Sequence, residues 1–316
     1  MEEDYYWIEA IKKADFSFEE INPHFHHKAL QSYLSHYSFA IDKVDEYRCG
    51  FEKINRKNHF YQFFLKNNPK GTIYLVHGYL DHSGGLSKTI NYLLENKYQV
   101  IVLDLPGHGF SSGEKGMIAS FDDYLIAVEK GNELIRRYVN VEEVVGLGHS
   151  TGAALLFHAQ SERKVELDGL LLVAPLYYPF RWNLYRRFLL FSGKVVSQKK
   201  RSFKRNSTDL VYRQFVKHDP LQVKVLKANW VMALEDWQGQ FTDCPGSSLP
   251  VYILQGTRDT TVDWKKNIYF YQEKCGHIQV ALFEGARHQL LNERYDVRNL
   301  VQGRINSFLS DIFSPF

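Results

Sequence analysis

Apolar runs separated by helical stretches constrain this chain more than any other feature. They are Thr72–Val76, Gln99–Leu103, Glu143–Leu147, Gly169–Val173, Val251–Gln255 and Ile278–Phe283. The first is rich in β-formers without polar alternation, as in a strand buried on both faces. Helical stretches at Ser87–Asn96, at Phe121–Tyr138 and from Thr151 onward separate the early runs. Strand-helix-strand repetition predicts an α/β fold, a parallel sheet with helices on both faces. Ahead of it, Tyr47–Lys57 and His59–Lys66 predict a hairpin turning near Asn55. The alternation breaks at 176–245, where helix-like segments occur without a convincing strand. These patterns divide the chain into a polar helical extension (1–42), a first core part (43–175), a helical insertion (176–245) and a second core part (246–316), the last ending in a helix at Val297–Phe313.

A length of 316 residues is ordinary for one large α/β domain carrying an insertion. The net charge of +3 is too weak to imply nucleic acid. Aromatics reach 15%, which suits an apolar pocket and an aromatic core equally. Cys49, Cys244 and Cys275 lie far apart, as free thiols in a reducing compartment would. The start, Met1-Glu2-Glu3-Asp4, is acidic and no apolar signal region follows. Runs such as Gly169–Pro175 fall well short of the roughly 20 residues of a membrane span. The expectation is a cytoplasmic chain, with peripheral membrane contact left open. His24, His26 and His27 have no partner ligands at matching spacing, so neither metal nor cofactor is expected.

Gly148-His149-Ser150-Thr151-Gly152 stands between a buried run and a helix of small residues. A serine in G-x-S-x-G at a sharp strand-to-helix turn is a candidate nucleophile, the glycines letting the turn close. The helix start directs N–H groups and a positive dipole end toward Ser150. The competing reading is a simple helix cap. His149 is expected to point away from the reacting face and pack.

A serine hydroxyl needs an imidazole to take its proton and a carboxylate to orient that imidazole. Asp259 follows the run Val251–Gly256, and His288 follows Ile278–Phe283. Both positions fall where the loops of a parallel sheet converge. Asp263 is the rival acid, better placed to cap a helix beginning near Trp264. His277 precedes its strand and so sits at the wrong end. The segment His77-Gly78-Tyr79 ends Thr72–Val76, which nominates the backbone N–H groups of Tyr79 and Thr151 as oxyanion donors. His77 is expected to hold the loop through its ring and Gly78 to allow close approach. Both are also carried as substrate contacts, together with Trp182 and Trp230 of the insertion.

The segment His77–Gly84 resembles the H-G-x-x-E/D-H-S/A-G segment of monoacylglycerol lipases and related lysophospholipases. Asp104–Gly113 resembles their D-x-x-G-H-G-x-S-x-G loop, Gly256–Asp263 their acid loop and Gly285–Glu293 their base segment. The resemblance covers the chain from about residue 45 onward, the insertion excepted. It implies an α/β-hydrolase fold with a mostly parallel sheet and a helical cap at 176–245. It also implies hydrolysis of monoacyl lipid esters without cofactor. Thr151 departs from the pattern, since the family usually carries Met or Gly there. An aminopeptidase-like amidase, an acyltransferase and a non-catalytic binding protein are the alternatives on the same fold. An amidase should display acids for a free amine, and the cap holds few (Asp209, Asp219, Glu235, Asp236).

From Arg181 to Arg205 the basic residues Arg181, Arg186, Arg187, Lys194, Lys199, Lys200, Arg201, Lys204 and Arg205 meet no acid. Interleaved with apolar residues, they suit an anionic membrane surface or phospholipid head groups. A packed cap helix with a solvated basic loop accounts for them equally. Trp230, Leu234 and Trp237 are expected to line an acyl pocket or to pack within the cap.

Overall fold

The computed structural model describes residues 5–139, 143–184, 198–200 and 206–313. Its strands are β1 (Glu46–Ile54), β2 (Lys57–Leu65), β3 (Thr72–Val76), β4 (Gln99–Leu103), β5 (Val144–His149), β6 (Gly169–Val173), β7 (Gln198–Lys200), β8 (Val225–Lys227), β9 (Ser247–Gly256) and β10 (Cys275–Phe283). Eight of them form one sheet in the order β1-β2-β4-β3-β5-β6-β9-β10. Only β2 runs against its neighbours; every pairing from β4 through β10 is parallel.

The buried apolar runs feed two cores, because successive side chains leave a strand on opposite faces. Tyr74 and Val76 enter one cluster, Ile73 and Leu75 the other. The first lies under α4 (Phe121–Tyr138), α5 (Thr151–Ser161) and α8 (Trp264–Lys274). The second lies under α1 (Tyr6–Lys13), α2 (Lys28–His36), α3 (Ser87–Glu95) and α9 (Tyr295–Ile312). A fully buried Phe or Leu contributes about 1.5–3 kcal/mol relative to an exposed one. Helix α4 begins at Ser120, whose hydroxyl accepts from the N–H of Asp122. The β1–β2 turn is Asn55-Arg56, with φ of 50° and 64°. That doubly left-handed turn matches strand twist and closes the hairpin in two residues.

Two expectations are corrected. The insertion between β6 and β9 carries α6 (Leu210–His218) and α7 (Ala228–Thr242), but also the short antiparallel pair β7–β8. Strands of three residues leave no periodic trace in a sequence. The N-terminal segment is embedded rather than merely polar. Trp7 and Ile11 of α1 are buried one turn apart, as are Leu30, Tyr33 and Leu34 of α2. Phe16 joins one core and Phe18 the other, so the chain crosses the sheet border beside Gly50, where an added Cβ would lie 2.9 Å from the Phe16 carbonyl. There the Asn22 N–H donates to the Tyr47 carbonyl and the Tyr47 N–H to the Asn22 side-chain oxygen, both at 2.7 Å. No helix among the described residues is long and apolar enough to cross a membrane.

Candidate active site

Ser150 joins β5 to α5 with φ 53° and ψ −112°, a conformation an L residue holds only under constraint. The constraint is visible: its N–H donates to the Val173 carbonyl at 2.8 Å, and its carbonyl accepts from Leu176 at 3.1 Å. A Cβ on Gly148 would lie 2.4 Å from the Ala153 backbone, and one on Gly152 2.2 Å from the Val76 carbonyl oxygen. Both obstacles are backbone, so neither can swing aside. Gly152→Ala is therefore expected to cost at least about 1–3 kcal/mol of stability, read by denaturant unfolding. Gly239→Ala in α7, where nothing lies within 4 Å, should instead gain up to about 1 kcal/mol. Equal stabilities for the two variants would contradict this account of the turn.

Asp259 follows β9 and His288 follows β10. The His288 Nδ1–H donates to Asp259 Oδ2 at 2.7 Å. The other carboxylate oxygen accepts from the N–H groups of Thr261 (2.7 Å) and Val262 (3.2 Å), and Gln255 donates to Oδ2 at 3.1 Å. Burial pushes the Asp259 carboxyl up, but His288 and these donors outweigh it and hold its pKa below the ordinary carboxylate range. Asp263 directly precedes α8, yet its side chain caps nothing and pairs with Lys266 at 3.2 Å, correcting the expectation of a cap.

Ser150 and His288 line one cavity of about 380 Å³. Tyr79, Thr151, Trp182 and Trp230 share its wall. His77 and Gly78, carried as substrate contacts, do not. The His77 ring is fully enclosed, its Nδ1–H donating to the Gly78 carbonyl at 2.8 Å and its Nε2 accepting from Leu105 at 2.9 Å. Burial, then neighbouring His108, holds its pKa well below the usual histidine value. Gly78 sits against His149 and Ser150, where a Cβ would lie 2.9 Å from the His149 ring. His149 itself is corrected: it lines the cavity, and its Nε2–H donates to the His288 carbonyl at 3.1 Å. Trp237 and Leu234 belong to the core, Trp237 donating to His158 Nδ1 at 2.9 Å.

Sequence reasoning missed the buried scaffold behind His288. Glu293, fully buried, accepts from the N–H groups of Arg287 (3.0 Å) and Thr208 (2.8 Å) and from the Ser207 hydroxyl. It thereby ties the His288 loop to the chain returning from the insertion, where the Gln289 N–H also donates to the Asn206 carbonyl. The available signal was that this acid, five residues beyond the candidate base, closes the matched segment Gly285–Glu293. Of the basic stretch, Arg181 and Lys200 are exposed. Arg186, Arg187, Lys194, Arg201, Lys204 and Arg205 lie outside the described residues, and Lys199 is described only through its backbone. Among the described residues no cluster of His, Cys, Asp and Glu is arranged to hold a metal.

Residues 67–295 match the family model described as "Serine aminopeptidase, S33". The chain is 28% identical over 255 residues to a monoglyceride lipase homolog of monkeypox virus, covering 76% of this chain and 90% of that protein. It is 26% identical over 257 residues to human monoglyceride lipase, covering 77% and 83%. Among solved structures, a soluble variant of Saccharomyces cerevisiae monoglyceride lipase in complex with a substrate analog superposes with a TM-score of 0.69 at 21% identity, covering 84% of this chain and 95% of that one.

Proposed function

Because the chain belongs to the serine aminopeptidase family of α/β-hydrolases, we propose that it hydrolyses carboxylic esters of monoacyl lipids through an acyl-enzyme on Ser150. His288 takes the Ser150 proton as the serine oxygen bonds to the ester carbonyl carbon. The resulting oxyanion is received by the backbone N–H groups of Thr151 and Tyr79, each worth about 10²–10³ in rate. The imidazolium, steadied by Asp259, then protonates the departing alcohol as the C–O bond breaks. Water, deprotonated by the same imidazole, attacks the acyl-enzyme and releases the fatty acid, returning the proton to Ser150.

The observation that carries the choice of substrate is the cavity wall. Among its described residues there is no Asp or Glu, while Leu176, Phe180, Trp182, Leu226, Trp230 and Val231 give it an apolar face. A free amine would enter such a site without a counter-charge, which is costly; an acyl chain would not. The similarity to monoglyceride lipases over most of both chains supports the same choice. On this reading residues 176–245 form the cap over the site. Its basic stretch at 181–205 meets a lipid surface, a role supported by the exposure of Phe180, Arg181 and Leu184 at its described end.

The test is a panel of monoacylglycerols, lysophospholipids and aminoacyl anilides. The best monoacyl ester is expected to exceed every anilide in kcat/KM by at least about 100-fold, since an unpaired buried charge is discriminated far more strongly than chain length. Faster turnover of an anilide would transfer the assignment to an amidase.

A further inference from the structure

The loop carrying one proposed oxyanion donor is gripped from two sides. From the core, the N–H of Leu80 donates to His108 Nε2 at 3.1 Å and that of Ser83 to Asp104 Oδ1 at 2.8 Å. From the insertion, Gln222 donates to the Leu80 carbonyl, and Asp219 accepts from His82 Nε2–H at 2.9 Å. Leu80 itself is held at φ 71°, so the loop does not rest in a relaxed conformation.

Tyr79 makes the most direct of these links. Its ring stacks on Trp230 of α7, with centroids 3.9 Å apart and planes 9° from parallel. Its hydroxyl donates to the Gly116 carbonyl at 2.8 Å and accepts from the N–H of Lys227, the last residue of β8, at 3.3 Å. One side chain is therefore wedged between the insertion and the 104–118 loop, while the backbone of the same residue offers its N–H to the oxyanion. Moving the ring turns the peptide that carries the donor.

We propose that Tyr79 is a positioning residue through which the insertion sets the oxyanion hole, so that the donor reaches its working position only when α7 and β8 are seated. This rests on the acyl-enzyme reading above. A phenol at this place therefore matters to the chemistry of every ester, large or small, and not to acyl-chain binding alone.

The experiment compares the full-length chain with Tyr79→Phe, which keeps the ring stack and removes both hydroxyl bonds. Trp230→Leu, which keeps the hydroxyl and removes the stack, is the second arm. The substrates are an aryl acetate and an aryl decanoate. Both variants are expected to lose about tenfold in kcat on both esters, with KM for the acetate within about twofold, because small misplacements of a reacting geometry cost this much or more. Affinity for an alkyl trifluoromethyl ketone, whose tetrahedral adduct carries the same oxyanion, should weaken by the same factor. Unchanged kcat on the acetate in both variants, or a rise in KM for Tyr79→Phe confined to the decanoate, would overturn the proposal. Absence of Ser150-dependent hydrolysis by the native chain would instead bring down the parent reading, and this one with it.

Discussion

Ser150→Ala is expected to lower the hydrolysis of monoacyl esters by about 10⁶-fold, to a residue maintained by binding and the oxyanion donors alone. Without the serine oxygen there is no acyl-enzyme, and water at the same place lacks a pre-set trajectory. The fold should hardly notice. The strained backbone at this position is fixed by bonds from its own N–H and carbonyl to Val173 and Leu176, which alanine retains. Stability should stay within about 1 kcal/mol of the native chain. Monoacylglycerol turnover, together with labelling by a fluorophosphonate, reads both sides of the claim. Labelling that survives the substitution would place the nucleophile elsewhere.

Asp259→Asn is expected to cost about 10⁴ in kcat. An amide can present its NH₂ to His288 Nδ1, which stabilises the tautomer with the proton on the wrong nitrogen. It also loses the charge that supports the imidazolium. The carboxylate's lowered pKa adds a pH signature. A group whose folded pKa is depressed stabilises the fold fully above its unfolded value, about 3.9 for Asp, and loses that contribution as pH falls through the folded value. The stability gap between the native chain and Asp259→Asn should accordingly narrow as pH falls below about 4. A gap that widens on acidification below about pH 4 would mean the folded carboxyl's pKa lies above, not below, its unfolded value.

The sheet was legible because its central strands are buried on both faces and so read as short continuous apolar runs bounded by turn residues. Thr72–Val76, Gln99–Leu103 and Gly169–Val173 run over the same residues in sequence and structure. Ser150, Asp259 and His288 could be nominated for a related reason: chemistry in such sheets gathers at strand ends, and strand ends are marked by where apolar runs stop. What escaped was whatever depends on partners distant in the chain. Nothing local announces that Tyr79 would stack on Trp230, or that Glu293 would collect donors from residues 207, 208 and 287. The embedded α1 failed for want of length: two buried residues one turn apart make too short a stripe to stand out from a polar background.

The passage of Asn22 along β1 also has a bearing on how the molecule behaves among its own kind. A free strand border is an invitation to intermolecular pairing and precipitation. Near Tyr47 that invitation is withdrawn, since the donor and acceptor that would greet a stranger are already taken by the same chain. At the opposite margin β10 pairs, among the described residues, with β9 on one side only. Stacking of molecules strand to strand, should crowding or damage promote it, has its opening at Cys275–Phe283.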